Sequence, residues 1–477
     1  MGNVLPRKIV QQLPKKLTST RAVVGANSSP SWSRSKQAGL STDSTSSWSR
    51  SGFLLEDELV RELSYQSDDD SVQAECFRAA KAILDCDVFL LCTGTGFTAD
   101  SGLPLCREIA EIAQYRSRGL TYTSICDTCW MDTDLTLFYG YWGTCLNDAR
   151  WTRPHAGYEI LASWRDRFFH GTALSAEIQR RCKIAEKNKA EKEAADKEEE
   201  MEPLKGQQAG AFFVFTSNMD SHLLDYFDAG EVRESHGSVE FWQCGSVCSK
   251  RVWRAPSECT FRVDLRNMLA FDPPGTNMTS PMLMKSMSFI HEVEMREERR
   301  FGKRGHEGMR GDRFLQGLPP SEDASGSGKM FWRPNRPVCP LCKAPARPNV
   351  LMFSDLGWVD NAAQERRWSV WLQTVKDECQ LRRSGPELKV VIMEIGAGAT
   401  TVPTVRSTSQ SVAARLEQLG ARATLVRINP EKCRPDGAKG ARLKHFIGIP
   451  LRGLEALERI NAVVEARLLH NRSFARP

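Results

Sequence analysis

The 477-residue chain has room for about three domains of roughly 150 residues before tails or insertions lower that count, and 41% hydrophobic residues exclude wholesale disorder. Lys and Arg exceed Asp and Glu by 65 to 59, but residues 1–42 hold seven basic and no acidic residues, which leaves the rest at 58 − 59 = −1. Charge therefore gives no sign of a nucleic-acid-binding body, and no direct nucleic-acid partner is expected.

Residues 1–70 read as a disordered, basic, Ser-rich tail in which Ser-Trp-Ser-Arg-Ser occurs twice, at 31–35 and 47–51. An acid-free, Arg- and Ser-bearing start resembles a mitochondrial or plastid transit peptide, and a plain solvated tail fits it as well. No apolar leader segment precedes small residues, and no run of about 18 apolar residues suggests a membrane span. Fifteen cysteines, an odd number spread along a long chain, point to reduced, metal-binding or core cysteines in an intracellular protein, cytoplasmic or nuclear before organellar.

The globular pattern starts near Glu75. Ala79–Leu84 predicts a helix, and Val88–Cys92 predicts a buried parallel strand that leaves into Thr93-Gly94-Thr95-Gly96. Apolar runs recur at Phe212–Phe215, Val390–Ile395 and Ala423–Ile428, with a helical pattern at Gln410–Leu419. Repeated strand–helix units imply an α/β fold: a Rossmann-like parallel sheet with helices on both faces. Two stretches break the pattern. Residues 174–209, with the charged run Lys187–Glu200, read as a solvated insertion. Residues 260–330, with eight of the fourteen methionines and a basic patch from Arg296 to Arg313, read as a second.

Three groups of residues bear chemistry. The Gly94-Thr95-Gly96 turn after a buried strand lets backbone approach a phosphate at a helix N-terminus, although a structural turn explains it equally, since Ala99 stands where a third glycine belongs. Cys244-X3-Cys248 and Cys339-X2-Cys342 offer four thiolates in two short-spaced pairs, the donor set of a closed, structural zinc site. Cys126-X2-Cys129 has metal spacing without a second pair. His236, in Glu234-Ser-His-Gly-Ser238, is a candidate general base. Upstream, the strand at 212–215 ends in Thr216-Ser217-Asn218-Met219-Asp220, which places an amide and a carboxylate at the ligand-binding rim of a parallel sheet.

In this order the pieces resemble the sirtuin family of NAD-dependent protein deacylases. The resemblance runs over about 75–466, the two insertions excepted, and adds Ser101-Gly102-Leu103-Pro104, Arg347–Phe353, Ile395-Gly396-Ala397-Gly398 and Arg427-Ile-Asn429-Pro430. The Thr-Ser-Asn form looks like a mainly microbial branch. The resemblance implies an NAD-binding domain of 71–238 and 349–466, a zinc-binding small domain of 239–348, and a C-terminal tail from 467 to 477. It implies that Gly94, Thr95, Gly96, Thr98 and Arg107 hold the phosphates and ribose of NAD. Ser217, Asn218 and Asp220 would hold the nicotinamide end, and Gly396, Ala397, Gly398 and Asn429 the adenosine half. His236 would be the general base, with Asn218 and Asp220 beside it, and the substrate an acyl-lysine peptide bound as a strand. The chain departs from the family where Leu105-Cys106 replaces Asp-Phe, leaving only Arg107 of that motif. Thr95 and Ser221 stand for Ala and Gly, which is expected to crowd both backbones. Two other readings stay open: a degenerate sirtuin that binds NAD, ADP-ribose or a partner, and a mono-ADP-ribosyltransferase.

Overall fold

The computed structural model describes residues 70–196, 210–257, 259–271, 332–333, 335–398, 403–436 and 443–474. The tail up to residue 69 and the Met- and Arg-rich stretch from 272 to 330 lie outside the described residues.

Helix α1 (Asp70–Asp85) leads into strand β1 (Val88–Thr93), whose six residues are all buried. Strands β2 (Phe212–Thr216) and β3 (Val232–Glu234) continue the sheet on one side of β1. Beyond β3 come β4 (Gly237–Cys244), β5 (Val252–Arg254) and β6 (Ala346–Val350) of a separate small antiparallel sheet. Strands β7 (Lys389–Ile395), β8 (Arg422–Ile428) and β9 (His445–Ile449) complete the main sheet, ordered β9-β8-β7-β1-β2-β3 and parallel throughout. Counted along the chain this is the 3-2-1-4-5-6 order of a doubly wound sheet, with its topological switch between β1 and β7.

Alternation along each strand sends side chains to opposite faces. Phe89, Leu91, Phe212, Val214, Val391 and Met393 pack beneath α1 and the C-terminal helix Gly453–Phe474. Val88, Leu90, Cys92, Phe213, Val390 and Ile392 pack beneath the helices Ala173–Asp196, Ala362–Leu381 and Thr404–Gln418. Helices thus cover both faces, so the strands read as continuous apolar runs. Strands β3 and β9 escaped the sequence reading: one has three residues, and the other is interrupted by Gly448.

Four expected boundaries need correction. The insertion read from 174 onward begins inside the core, because Leu174, Ile178 and Cys182 are buried against the sheet. Likewise Phe261, Met268 and Ala270 are buried, so the second insertion does not start at 260. The helix Leu135–Trp151, placed by sequence with the large domain, buries Tyr139, Trp142 and Leu146 against Trp242 and Ala346 of the small sheet. The C-terminal tail read from 467 is helical as far as Phe474, with Leu468 packed on the core. No helix among the described residues is long and apolar enough to cross a membrane.

Candidate functional site

At the carboxyl ends of β1 and β7 two glycine turns interlock. The Gly94 amide donates to the Ile395 carbonyl at 2.9 Å and the Gly96 amide to the Gly396 carbonyl at 3.0 Å. A Cβ on Gly94 would lie 2.6 Å from the Ala397 Cα, and one on Gly96 would lie 2.8 Å from the Gly396 Cα. Both glycines are therefore required by the approach of one backbone to the other. Ala397 is buried in the core, whereas nothing lies within 4 Å of a Cβ placed on Gly398. Asn429 braces the same corner: its amide nitrogen donates to the Ala397 carbonyl, and its oxygen accepts the Glu431 and Lys432 amides. Thr95 is exposed, and the crowding expected there does not occur.

A string of hydrogen bonds crosses the switch side of the sheet. The Asn218 amide donates to the Thr98 hydroxyl at 2.7 Å, and that hydroxyl donates to Asp220 Oδ2 at 2.9 Å. The other Asp220 oxygen accepts the His222 backbone amide at 2.9 Å. Asn218 is 2% exposed and its Oδ1 has no hydrogen-bond partner, an orphaned acceptor that a bound donor would satisfy. Ser217 is tied by its backbone to the Thr93 carbonyl at 3.2 Å. Thr95, Thr98, Asn218 and Asp220 line one pocket with Leu105, Cys106, Cys145 and Asp148. The cavity holds about 40 Å³, well under the several hundred typical of small-molecule pockets.

Not every expected residue reaches this pocket. Arg107 projects outward and pairs with Glu111 at 2.7 Å, both side chains more than half exposed. His236 lies past the end of β3, on the same carboxyl rim but outside the pocket lining. Its Nε2 is 3.2 Å from the Thr404 hydroxyl, and the neighbouring Ser235 amide is pinned to the Thr216 carbonyl at 2.7 Å. Burial first, and then the Arg233 charge, lower the His236 pKa and so favour the neutral imidazole at neutral pH. Ser221 adopts φ +62°, a left-handed conformation that favours glycine. Its hydroxyl donates to Glu234 at 3.0 Å and lies 2.5 Å from the Ser238 hydroxyl, bonds that offset the strain. Glu234 is buried, and desolvation pushes its carboxyl up to about 7.

Two contributors were not read from the sequence. Asp148 enters the pocket from the helix Leu135–Trp151, and burial raises its carboxyl to about 6. His155 receives the Gly157 amide on Nδ1 at 3.0 Å, so its Nε2 carries the proton and donates to the Phe97 carbonyl at 2.9 Å. It thereby fixes the turn that follows Gly96. Neither residue sits in a local motif. Asp100 of the same turn accepts the Leu454 amide at 2.9 Å and holds the start of the C-terminal helix.

The four expected metal ligands do converge. Sγ atoms of Cys244, Cys248, Cys339 and Cys342 all lie within 4.8 Å of one another, with Cys244–Cys342 at 3.5 Å and Cys248–Cys339 at 3.6 Å. A tetrahedral zinc with bonds of about 2.3 Å sets its sulfurs about 3.8 Å apart. The cluster fits one structural zinc. Val247 at φ +51° and Lys343 at φ +64° make the tight turns that aim each pair inward. The Ala344 amide, foremost, holds the Cys342 thiol down, as a thiolate ligand requires. Cys126 is buried with its thiol 3.1 Å from the Tyr141 hydroxyl, and Cys129 is exposed.

No family model matches the chain, and no curated protein matches it. Among solved structures it is similar to a Sir2 homologue in complex with NAD, at 12% identity over 82% of this chain and 94% of that one, with a TM-score of 0.40. It is also similar to Sir2 bound to an acetylated peptide, at 12% identity over 81% and 98% of the two chains, with a TM-score of 0.39. A complex of Sir2 with a p53 peptide and NAD+ gives 14% identity over 82% and 98%, with a TM-score of 0.38.

Proposed function

We propose that the chain is a sirtuin-type, NAD-dependent protein-lysine deacylase with His236 as its general base. The observation that carries this reading is the Asn218–Thr98–Asp220 string beside the switch point, with the buried Asn218 oxygen open to a ligand donor. Backbone at Gly94, Gly96, Gly396 and Gly398 would hold the phosphates and adenosine half, and Asn218 and Asp220 the nicotinamide ribose and carboxamide. When bound, NAD would supply the ribosyl carbon that receives the acyl oxygen: the bond to nicotinamide and the acyl–lysine amide bond would break, one water would be consumed, and nicotinamide, free lysine and an O-acyl-ADP-ribose would leave. His236, its pKa lowered by burial, would accept a ribose hydroxyl proton on an imidazole nitrogen. The zinc cluster closes all four coordination positions with sulfur and serves to brace the small module, not to activate water. An acyl-lysine peptide would bind as an extended strand held by backbone hydrogen bonds.

One observation favours a second reading, a chain that binds NAD or ADP-ribose with little turnover. Leu105 and Cys106 wall a pocket of about 40 Å³, and Arg107 turns away to Glu111. Nicotinamide release from NAD by the zinc-loaded protein, with and without an acyl-lysine peptide pool, separates the readings. Peptide-dependent release supports deacylation. Release without peptide means hydrolysis or ADP-ribosyl transfer, and no release from folded protein means the binding role. If the second reading holds because of the loop, Leu105→Asp with Cys106→Phe raises turnover by about tenfold, or roughly 1.4 kcal/mol of barrier.

A further inference from the structure

The opposite end of the sheet, at the amino ends of its strands, carries a pocket of about 260 Å³ that the proposed chemistry does not use. Its lining gathers Arg78 and Lys81 from α1, Lys389 at the start of β7, Arg422 at the start of β8, and Lys444 with His445 at the start of β9. Asp85 is the one carboxylate in that lining.

Lys389 and Arg422 are direct partners in the parallel register, and His445 pairs with Thr424 on the next strand. By alternation, Lys389 shares its face with Val391, and Arg422 shares its face with Val426, the face on which α1 packs. Two cations therefore stand side by side on adjacent strands, an arrangement that costs stability when nothing neutralises it. The nearby carboxylates Asp87, Glu417 and Glu75, none of them in the lining, are engaged by backbone amides or by other cations. Asp87 accepts the Lys389 backbone amide and pairs with Arg382 at 3.4 Å. Glu417 accepts the Lys444 and His445 backbone amides. Glu75 neutralises Arg78 at 2.7 Å. Among the described residues, no carboxylate forms an ion pair with the side chains of Lys389, Arg422 or Lys444.

We propose that this pocket binds a small polyphosphate anion. Lys389, Arg422 and Lys444, from three adjacent strands around one concavity, suit an anion with charge at both ends better than a single monovalent ion. The assignment does not depend on the deacylase reading.

The test is thermal melting of the full-length protein at low ionic strength, titrated with inorganic pyrophosphate. Wild type is expected to show a saturable rise in Tm that added salt suppresses. In K389M/R422M that rise is lost, while the anion-free protein melts higher than wild type because the like-charge pair is gone. Should the double variant fail to fold, Lys389→Gln is expected to shift the pyrophosphate midpoint to about tenfold higher concentration, the loss of one charge-assisted contact. No rise in wild type, or a rise that these variants keep in full, overturns the proposal, the latter by placing the anion elsewhere.

Discussion

Gly396 sits at φ +63° with its Cα pressed against Gly96, so that a Cβ on Gly396 would come within 2.4 Å of the Gly96 carbonyl carbon and 2.3 Å of the Phe97 nitrogen. Two turns separated by some three hundred residues are thus one structural unit. Gly396→Ala combines a left-handed backbone with overpacking and is expected to cost more than about 2 kcal/mol in chemical denaturation. Gly398→Ala, where the space is open, is expected to stay within about 0.5 kcal/mol of wild type. Equal losses at the two positions would show that the interlock is not what holds this corner.

Metal analysis of the purified protein should find one zinc per chain, bound through Cys244, Cys248, Cys339 and Cys342. Cys339→Ser is expected to remove the metal and lower the melting temperature by about 10 °C, since several kcal/mol of site energy braces the small module. Full zinc retention in that variant would count against the four-sulfur site.

For His236 the sign follows from a lowered pKa. The folded protein binds a proton there less readily than the unfolded chain, whose imidazole titrates near the ordinary 6.5. Stability tied to this residue is therefore present at neutral pH and declines as pH falls below about 6.5. The acid limb of kcat/KM should likewise lie below pH 6.5, and His236→Ala should remove both the limb and at least about a hundredfold of the rate. A limb unchanged in the variant would assign it to another group.

Glu234 runs the other way. Its folded pKa of about 7 stands above the ordinary carboxyl value, so its burial costs stability above pH 7 and nothing below about 4.5. Denaturation of Glu234→Gln is expected to match wild type near pH 4.5 and to exceed it at pH 8. A variant weaker at pH 8 would mean that the bonds from Ser221 and Gln364 need the charged carboxylate.

The long strands buried on both faces were legible in the sequence, whereas β3, equally buried, is too short at three residues to show a pattern. Val88–Thr93, Lys389–Ile395 and Arg422–Ile428 have no polar alternation because helices cover each side. The zinc cysteines were legible for a similar reason: each pair lies in a single tight turn, so spacing alone fixes two donors. Tertiary structure alone decided which distant side chains meet. Asp148 enters the pocket and Arg107 leaves it because of how their helices rotate, which no local pattern records. Ala397 is core and Gly398 is open although they are neighbours, since the packing of one turn on another selects which side is covered. Lys389 and Arg422 are ordinary surface cations in the sequence, and only the register of two parallel strands makes them a like-charged pair.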